Sequence, residues 1–261
     1  MKNLYINGCS FTAGHNLPTE QTWPVLLSKK LNLNLINQAI NGQSFGSIFL
    51  NTINHLSMLD SKDTLVVIGT TWPNRESLMV NEYITNITSP DLNVNIPHKK
   101  RKISFQDKIS IDRRTSSPYY LDTENIEKLT IEYRDNEEVK YSFDQVCRAY
   151  ADYYETLIRY DDNLHHNQWI SLISKVVALQ GFLEKNNFNY RMVDFFNIYR
   201  IKFHNHDLWE HPINQMIDEK NMHYFGGKWR EKYVGVPEYG SHPSPEGCVN
   251  VSEVLYDSFN R

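Results

Sequence analysis

The chain has 261 residues, of which 40% are hydrophobic and 22% charged, and its formal net charge is −4 at pH 7. This composition fits a globular protein with a substantial core and gives no sign of the basic surface by which proteins bind nucleic acids. No apolar run approaches the length that crosses a bilayer, and the start of the chain lacks a signal-peptide pattern, so we expect a cytoplasmic protein.

The first part of the chain alternates between apolar strands and amphipathic helices. Strands are predicted at residues 2–7, 33–38 and 64–68, and helices at residues 20–31 and 47–59. The last of these strands is a continuous apolar run, which is typical of a strand buried on both faces. Strands that alternate with helices in this way predict an α/β fold with a doubly wound parallel sheet and three layers.

The middle of the chain interrupts this alternation. Residues 82–142 are polar and contain short β-like pieces, which predicts an insertion into a single domain spanning residues 1–261. Helices are predicted at residues 143–160 and 165–185, and a strand at residues 190–196. A long functional loop is predicted for the remaining segment, which is rich in aromatic and histidine residues: residues 200–240.

A serine near the start and a histidine near the end are the candidate catalytic pair. Ser10 follows the first predicted strand in a Gly-flanked turn, at the sheet edge where open α/β sheets bind ligands. A hydroxyl there can act as a nucleophile if a base reaches it. His242 precedes the last helix, whose start is indicated by Ser244 as N-cap and Pro245 in its first turn.

With these blocks in this order, the chain resembles the SGNH/GDSL hydrolase superfamily. The first block reads Gly8-Cys9-Ser10, with Cys9 where the family has Asp. The second block matches at Asn41-Gly42, and the third reads Gly69-Thr70-Thr71-Trp72, with Thr71 where the family has Asn. The fourth block matches at His242. The resemblance implies a flavodoxin-like sheet and an esterase or acyl-transfer activity through a serine nucleophile.

The resemblance also implies an oxyanion hole and an acid behind the histidine. The backbone N–H groups of Ser10 and Gly42 would fill the first role, with Thr71 or Asn74 as a third donor. Arg75 could instead bind an anionic group of a substrate.

The position of the family acid is occupied by Tyr239, so the third catalytic residue stays open. Glu238 is one candidate, and Asp207 and Asp218 are others. A Ser–His dyad without an acid is the remaining alternative.

Two functions from different classes follow from these residues. The favoured one is a serine esterase or acyl-transfer enzyme that acts on a small-molecule or glycan ester through an acyl-enzyme. The alternative is a non-catalytic module of the same fold that binds a glycan or a protein partner, which the altered acid and Asn positions favour.

No cofactor or metal is expected at either kind of site. The three cysteines, Cys9, Cys147 and Cys248, have neither disulfide nor zinc spacing and are interpreted as packing residues.

Overall fold

The computed structural model of this chain describes four segments with their side chains: residues 1–72, 167–196, 211–234 and 242–260. It describes only the backbone of several further pieces: residues 75–80, 83–88, 110–116, 164–166, 202–203 and 206–207. The predicted helix at residues 143–160 and the third cysteine, Cys147, lie outside the described residues.

A five-stranded parallel sheet forms the centre of the molecule. Its strands are β1 (Asn3–Asn7), β2 (Asn34–Asn37), β3 (Thr64–Gly69), β7 (Asn189–Asp194) and β10 (Met222–Tyr224). In space they follow the order β10-β7-β3-β1-β2, and all neighbouring pairs are parallel. The strand order therefore reverses at β1, with β2 on one side and the later strands on the other. This is the flavodoxin-like arrangement, which places a ligand-binding crevice at the carboxyl ends of β1 and β3.

Helices cover both faces of the sheet and make it the middle of three layers. They are α1 (Ser10–Ala13), α2 (Trp23–Leu31), α3 (Phe45–Leu56), α4 (Leu164–Lys185), α5 (Lys228–Tyr233) and α6 (Pro245–Phe259). Helix α2 packs against α6, and α3 packs against α4. The predicted parallel α/β fold is confirmed, because the apolar runs of β1 and β3 are fully buried between these layers.

Other strands form two small antiparallel sheets. One consists of β4 (Arg75–Val80), β5 (Tyr83–Thr88) and β6 (Ser110–Ser116), and the other of β8 (Lys202–Phe203) and β9 (His206–Asp207). The first of these begins at Arg75, before the segment predicted as an insertion, residues 82–142, and its strands β5 and β6 lie within that segment. No helix of the described residues is long and apolar enough to span a membrane.

The segment predicted as a loop, residues 200–240, contains more regular structure than its sequence indicated. It includes β10, which pairs with β7 as an edge strand of the central sheet, and the short helix α5. Both elements are too short to produce a recognisable hydrophobic period, so their formation depends on the neighbours against which they pack.

Thr12 fixes α1 against the ends of β1 and β3. The Thr12 side chain is fully buried and fills the space left by two glycines, Gly8 and Gly69. A Cβ atom at either glycine would collide with Thr12 Oγ1; at Gly8 it would also lie 2.7 Å from Thr12 Cβ, whereas at Gly69 that distance would be 3.5 Å. The two glycines thus allow the helix after β1 to sit directly on the sheet edge.

We predict that Gly69→Ala lowers the free energy of unfolding by about 1–3 kcal/mol through overpacking. Thr12→Ala should remove most of this penalty, because it deletes the colliding Oγ1. Thr12→Ala should not rescue Gly8→Ala, since the new Cβ at position 8 would still collide with the Cβ of residue 12. Urea unfolding of the single and double variants measures these differences.

Gly181→Ala is the matched control. Gly181 is exposed in α4 and has no other heavy atom within 4 Å of an added Cβ, so the gain in helix propensity should raise stability by up to about 1 kcal/mol. Equal effects at Gly69 and Gly181 would contradict the packing described for Thr12.

A second prediction concerns the edge strand β10. Burial, aided by the nearby charge of Arg191, lowers the pKa of His223 to about 4. The unfolded chain binds a proton at this histidine below about pH 6.5, whereas the folded chain resists protonation until about pH 4. Stability should therefore fall as the pH drops through this window.

His223→Gln removes the titration while keeping a neutral polar side chain. We expect the wild type to lose stability relative to this variant between about pH 6.5 and 4, with a constant difference above pH 7. Urea unfolding over a pH series tests this. A wild-type-to-variant difference that does not change with pH would show that His223 does not titrate as described.

Candidate active site

Ser10 is the first residue of α1, directly beyond the carboxyl end of β1. Ser10 is 5% exposed, and Cys9 stands before it as the N-cap. The helix ends after one turn because Gly14 adopts φ 77° and donates its N–H to the Ser10 carbonyl. This abrupt strand–turn–helix passage places the serine in the crevice that the strand order creates.

Two contacts hold the turn around Ser10 in addition to the Thr12 packing. Trp23 Nε1–H in α2 donates to the Phe11 carbonyl at 3.1 Å. The Cys9 thiol donates to the carbonyl of Thr70, just beyond β3, at 3.5 Å. Cys9 and Cys248 are both buried and free, as the packing interpretation predicted. Cys9 therefore tethers the serine turn to the neighbouring strand.

His242 reaches the same region from the far end of the chain. It lies two residues before the N-cap of α6, Ser244, whose hydroxyl accepts the Gly247 N–H. The Ser244 N–H donates to the carbonyl of Tyr233 at 2.7 Å, and Val234 forms an antiparallel bridge with Pro243. The backbone that carries His242 is thus anchored to the end of α5.

The structure brings His242 to the serine turn. The His242 ring centroid lies 5.1 Å from that of Phe11, the residue after Ser10. It lies 4.7 Å from the ring of His15, which follows the end of α1. Residues that are more than 200 positions apart in the chain therefore meet at the carboxyl edge of β1.

The sequence reasoning missed His15, which lies between the serine turn and the second block. The Asn41 amide nitrogen donates to His15 Nδ1 at 3.1 Å, so the ring proton of neutral His15 sits on Nε2. Its place just after the glycine that ends α1 is the one sequence signal that could have marked it. His15 connects His242 on one side with Asn41 on the other.

Gly42 lies in a tight turn beside β1. The Ile40 N–H donates to the Gly8 carbonyl at 3.1 Å, and the Gln43 N–H closes the turn on the Ile40 carbonyl at 3.2 Å. Gly42 has φ 79°, the value that the third position of a type II turn requires. Gly42 follows the end of β2, outside the paired residues of that strand, and the Ile40 bond to Gly8 holds its turn beside the serine turn.

The third block is more enclosed than the resemblance implied. Thr70 donates its hydroxyl to Asp194 Oδ1 at 3.0 Å, and the Phe196 N–H donates to the same oxygen at 2.9 Å. Thr71 is fully buried, so its hydroxyl is not exposed to a substrate in this conformation. Asn74, Glu238 and the side chain of Arg75 lie outside the described residues.

Asp218, one candidate for the acid, lies at the opposite edge of the sheet. It precedes β10, and its carboxylate accepts hydrogen bonds from the Tyr190 hydroxyl, near the start of β7, and from the Asn221 amide. It therefore caps local structure at the amino ends of the strands and cannot orient His242. The side chain of Asp207, the other candidate in this region, is outside the described residues.

Aromatic rings form a wall beside the serine turn. Phe11, Trp72 and Phe196 follow β1, β3 and β7 respectively, all at the carboxyl edge. The Phe11 and Phe196 centroids are 4.7 Å apart, and those of Trp72 and Phe196 are 4.9 Å apart. No group of three or more potential metal ligands is found within the described segments.

Several solved structures are similar to this chain over its length at low sequence identity. The psychrotrophic esterase EstA from Pseudoalteromonas sp. is 12% identical, with a TM-score of 0.45 over 100% of this chain and 97% of its own. A member of the lipolytic G-D-S-L family from Veillonella parvula is 9% identical, with a TM-score of 0.45 over 100% of both chains. A carbohydrate esterase family 2 enzyme from Corynascus thermopiles is 11% identical, with a TM-score of 0.47 over 100% of this chain and 67% of its own.

No protein-family model matches the chain, and no curated protein matches it in sequence. The chain's own strand order is that of the flavodoxin-like fold implied by the SGNH/GDSL resemblance.

The Cys9 contact yields a third prediction. Cys9→Ser keeps a donor for the Thr70 carbonyl and should change stability little. Cys9→Asp would direct a buried carboxylate at that carbonyl oxygen and should lower stability by roughly 2 kcal/mol or more. Urea unfolding compares the two variants. An Asp variant as stable as the Ser variant would show that Cys9 is not constrained by the Thr70 carbonyl.

Proposed function

We propose that this protein is a serine esterase or acyl-transfer enzyme in which Ser10 is the nucleophile and His242 the general base. The observation that carries the proposal is the approach of the His242 ring to Phe11, next to Ser10, at the switch point of the sheet. Acyl transfer needs a serine hydroxyl and a base that takes its proton, and these two residues supply both groups at one edge of the sheet.

In the proposed mechanism, Ser10 Oγ attacks the ester carbonyl carbon while His242 accepts the hydroxyl proton. Collapse of the tetrahedral intermediate breaks the bond to the alcohol, which leaves with the proton from His242. Water, or an acceptor hydroxyl, then attacks the acyl-enzyme by the reverse steps and frees Ser10. Both outcomes use the same residues, so esterase and acyl transferase remain one proposal.

The oxyanion hole is assigned to backbone donors. Ser10 is the first residue of α1, so its N–H is among the helix-start donors that have no intrahelical acceptor. Gly42 supplies the second N–H from its turn beside β1. Thr71 and Asn74 stay candidates for a third donor, and the buried position of Thr71 makes it the weaker one.

The group that orients His242 stays open between Glu238, Asp207 and a dyad without an acid. His15 is a further neighbour of His242, because the two rings lie 4.7 Å apart. Its Nδ1 accepts a hydrogen bond from the Asn41 amide. We assign His15 and Asn41 to the wall of the site, where the imidazole and the amide can hydrogen-bond a polar substrate. A small polar or glycan ester is the proposed substrate class.

Ser10→Ala should abolish labelling by a fluorophosphonate probe and reduce hydrolysis of p-nitrophenyl acetate by at least about a thousandfold. His242→Gln should reduce both strongly, because the hydroxyl loses its proton acceptor. The absorbance of released p-nitrophenolate, followed by stopped-flow or in the steady state, measures the rates. In-gel fluorescence measures the labelling.

Ser57→Ala and His55→Gln are the matched controls. Both residues lie at the far end of α3, away from the crevice, and should leave labelling and turnover unchanged. If the wild type is neither labelled nor active, or if Ser10→Ala matches it, the esterase proposal is wrong and the non-catalytic binding module takes its place.

A further inference from the structure

Arg230 projects from α5 over the aromatic wall of the candidate site. Its guanidinium carbon lies 5.9 Å from the ring centroid of Phe11, 5.6 Å from that of Trp72 and 5.7 Å from that of Phe196. These three rings mark the carboxyl ends of three neighbouring strands. The cation therefore stands at the same edge of the sheet as Ser10 and His242.

The contacts of Arg230 differ from those of Arg191, the other arginine whose side chain the structure describes. The Arg191 guanidinium donates hydrogen bonds to two backbone carbonyls and to three side chains, those of Ser258, Asn189 and Asn221. Its N–H groups therefore hold parts of the protein together. Within the described segments, Arg230 forms no ion pair or side-chain hydrogen bond, and its contacts are with ring faces. Burial lowers the pKa of Arg230, and no carboxylate of those segments lies close enough to raise it again.

Ring contacts leave the hydrogen-bonding edge of a guanidinium available. Aromatic rings interact with the guanidinium through their π-electrons and accept few of its five N–H groups. The in-plane N–H groups match the two oxygens of a carboxylate, to which arginine binds with two parallel hydrogen bonds. Partial removal from water strengthens such a pair.

The helix that carries Arg230 is held to the segment that carries His242. Arg230 accepts the Val234 N–H at its carbonyl, Val234 bridges Pro243, and the Tyr233 carbonyl accepts the Ser244 N–H. The short helix that carries Arg230 and the segment that carries His242 are thus joined by backbone contacts.

We infer that Arg230 is a specificity residue that binds a carboxylate of the substrate, so that the protein acts on esters of molecules that carry a carboxylate near the scissile bond. The inference rests on the proposed function of the same site. Arg230 binds and orients the substrate, and it takes no part in proton transfer.

Two matched pairs of esters test the preference and locate the carboxylate. On the alcohol side, para-acetoxybenzoate is compared with its neutral methyl ester. On the acyl side, the p-nitrophenyl monoester of adipic acid is compared with p-nitrophenyl hexanoate. We expect wild type to prefer the anionic member of one pair in kcat/KM, and Arg230→Met to lower that rate by about 10- to 100-fold.

The rate on the neutral ester should change little in the same variant. Arg230→Lys should retain part of the preference, because it keeps the charge but loses the planar fork. Lys228→Met is the control: it removes one positive charge from the exposed start of the same helix and should leave both rates unchanged. Urea unfolding shows whether Arg230→Met is folded, and Arg230→Gln replaces it if it is not.

Binding without turnover separates this inference from the esterase proposal. Benzoate should raise the melting temperature of the Ser10→Ala protein more than neutral benzamide does, and Arg230→Met should remove the difference. A benzoate effect that depends on Arg230, together with a wild type that shows no esterase activity, would support the carboxylate site and refute the catalytic proposal. Esterase activity without an Arg230-dependent anion preference, or a benzoate effect that survives Arg230→Met, would overturn the inference.

Discussion

The packing of Thr12 between Gly8 and Gly69 is the constraint on which the candidate site depends. Because neither glycine carries a side chain, α1 can begin directly at the end of β1 and rest on the end of β3. A longer connection would move Ser10 away from the switch point. The Trp23 bond to the Phe11 carbonyl and the Cys9 bond to the Thr70 carbonyl then fix the orientation of the turn.

The second half of the site is built by a backbone connection between two distant segments. The end of α5 and the residues before α6 pair through Val234, Pro243 and the Ser244 N–H. A Cβ at Gly247 would lie 2.9 Å from Tyr233 Cβ, so a glycine is needed where α6 approaches α5. His242 and Arg230 are therefore positioned by one local framework.

Much of the core was predictable because it depends on local patterns. The continuous apolar run of β3 and the capping residues before α6 indicate those elements without tertiary information. Strand β10 and helix α5 have three and six residues and no recognisable period. They form because β7 offers an unpaired edge and because the segment before α6 pairs with the end of α5.

The sequence by itself determined the parallel α/β architecture, since alternating strands and helices admit few other layered arrangements. It also indicated Ser10, Gly42 and His242 as candidate site residues, because residue type and order at strand and helix ends are local features. Only the tertiary structure decided that His15 and Arg230 join them. Their neighbours come from segments that are distant in the chain, and such contacts leave no pattern in the spacing of residues.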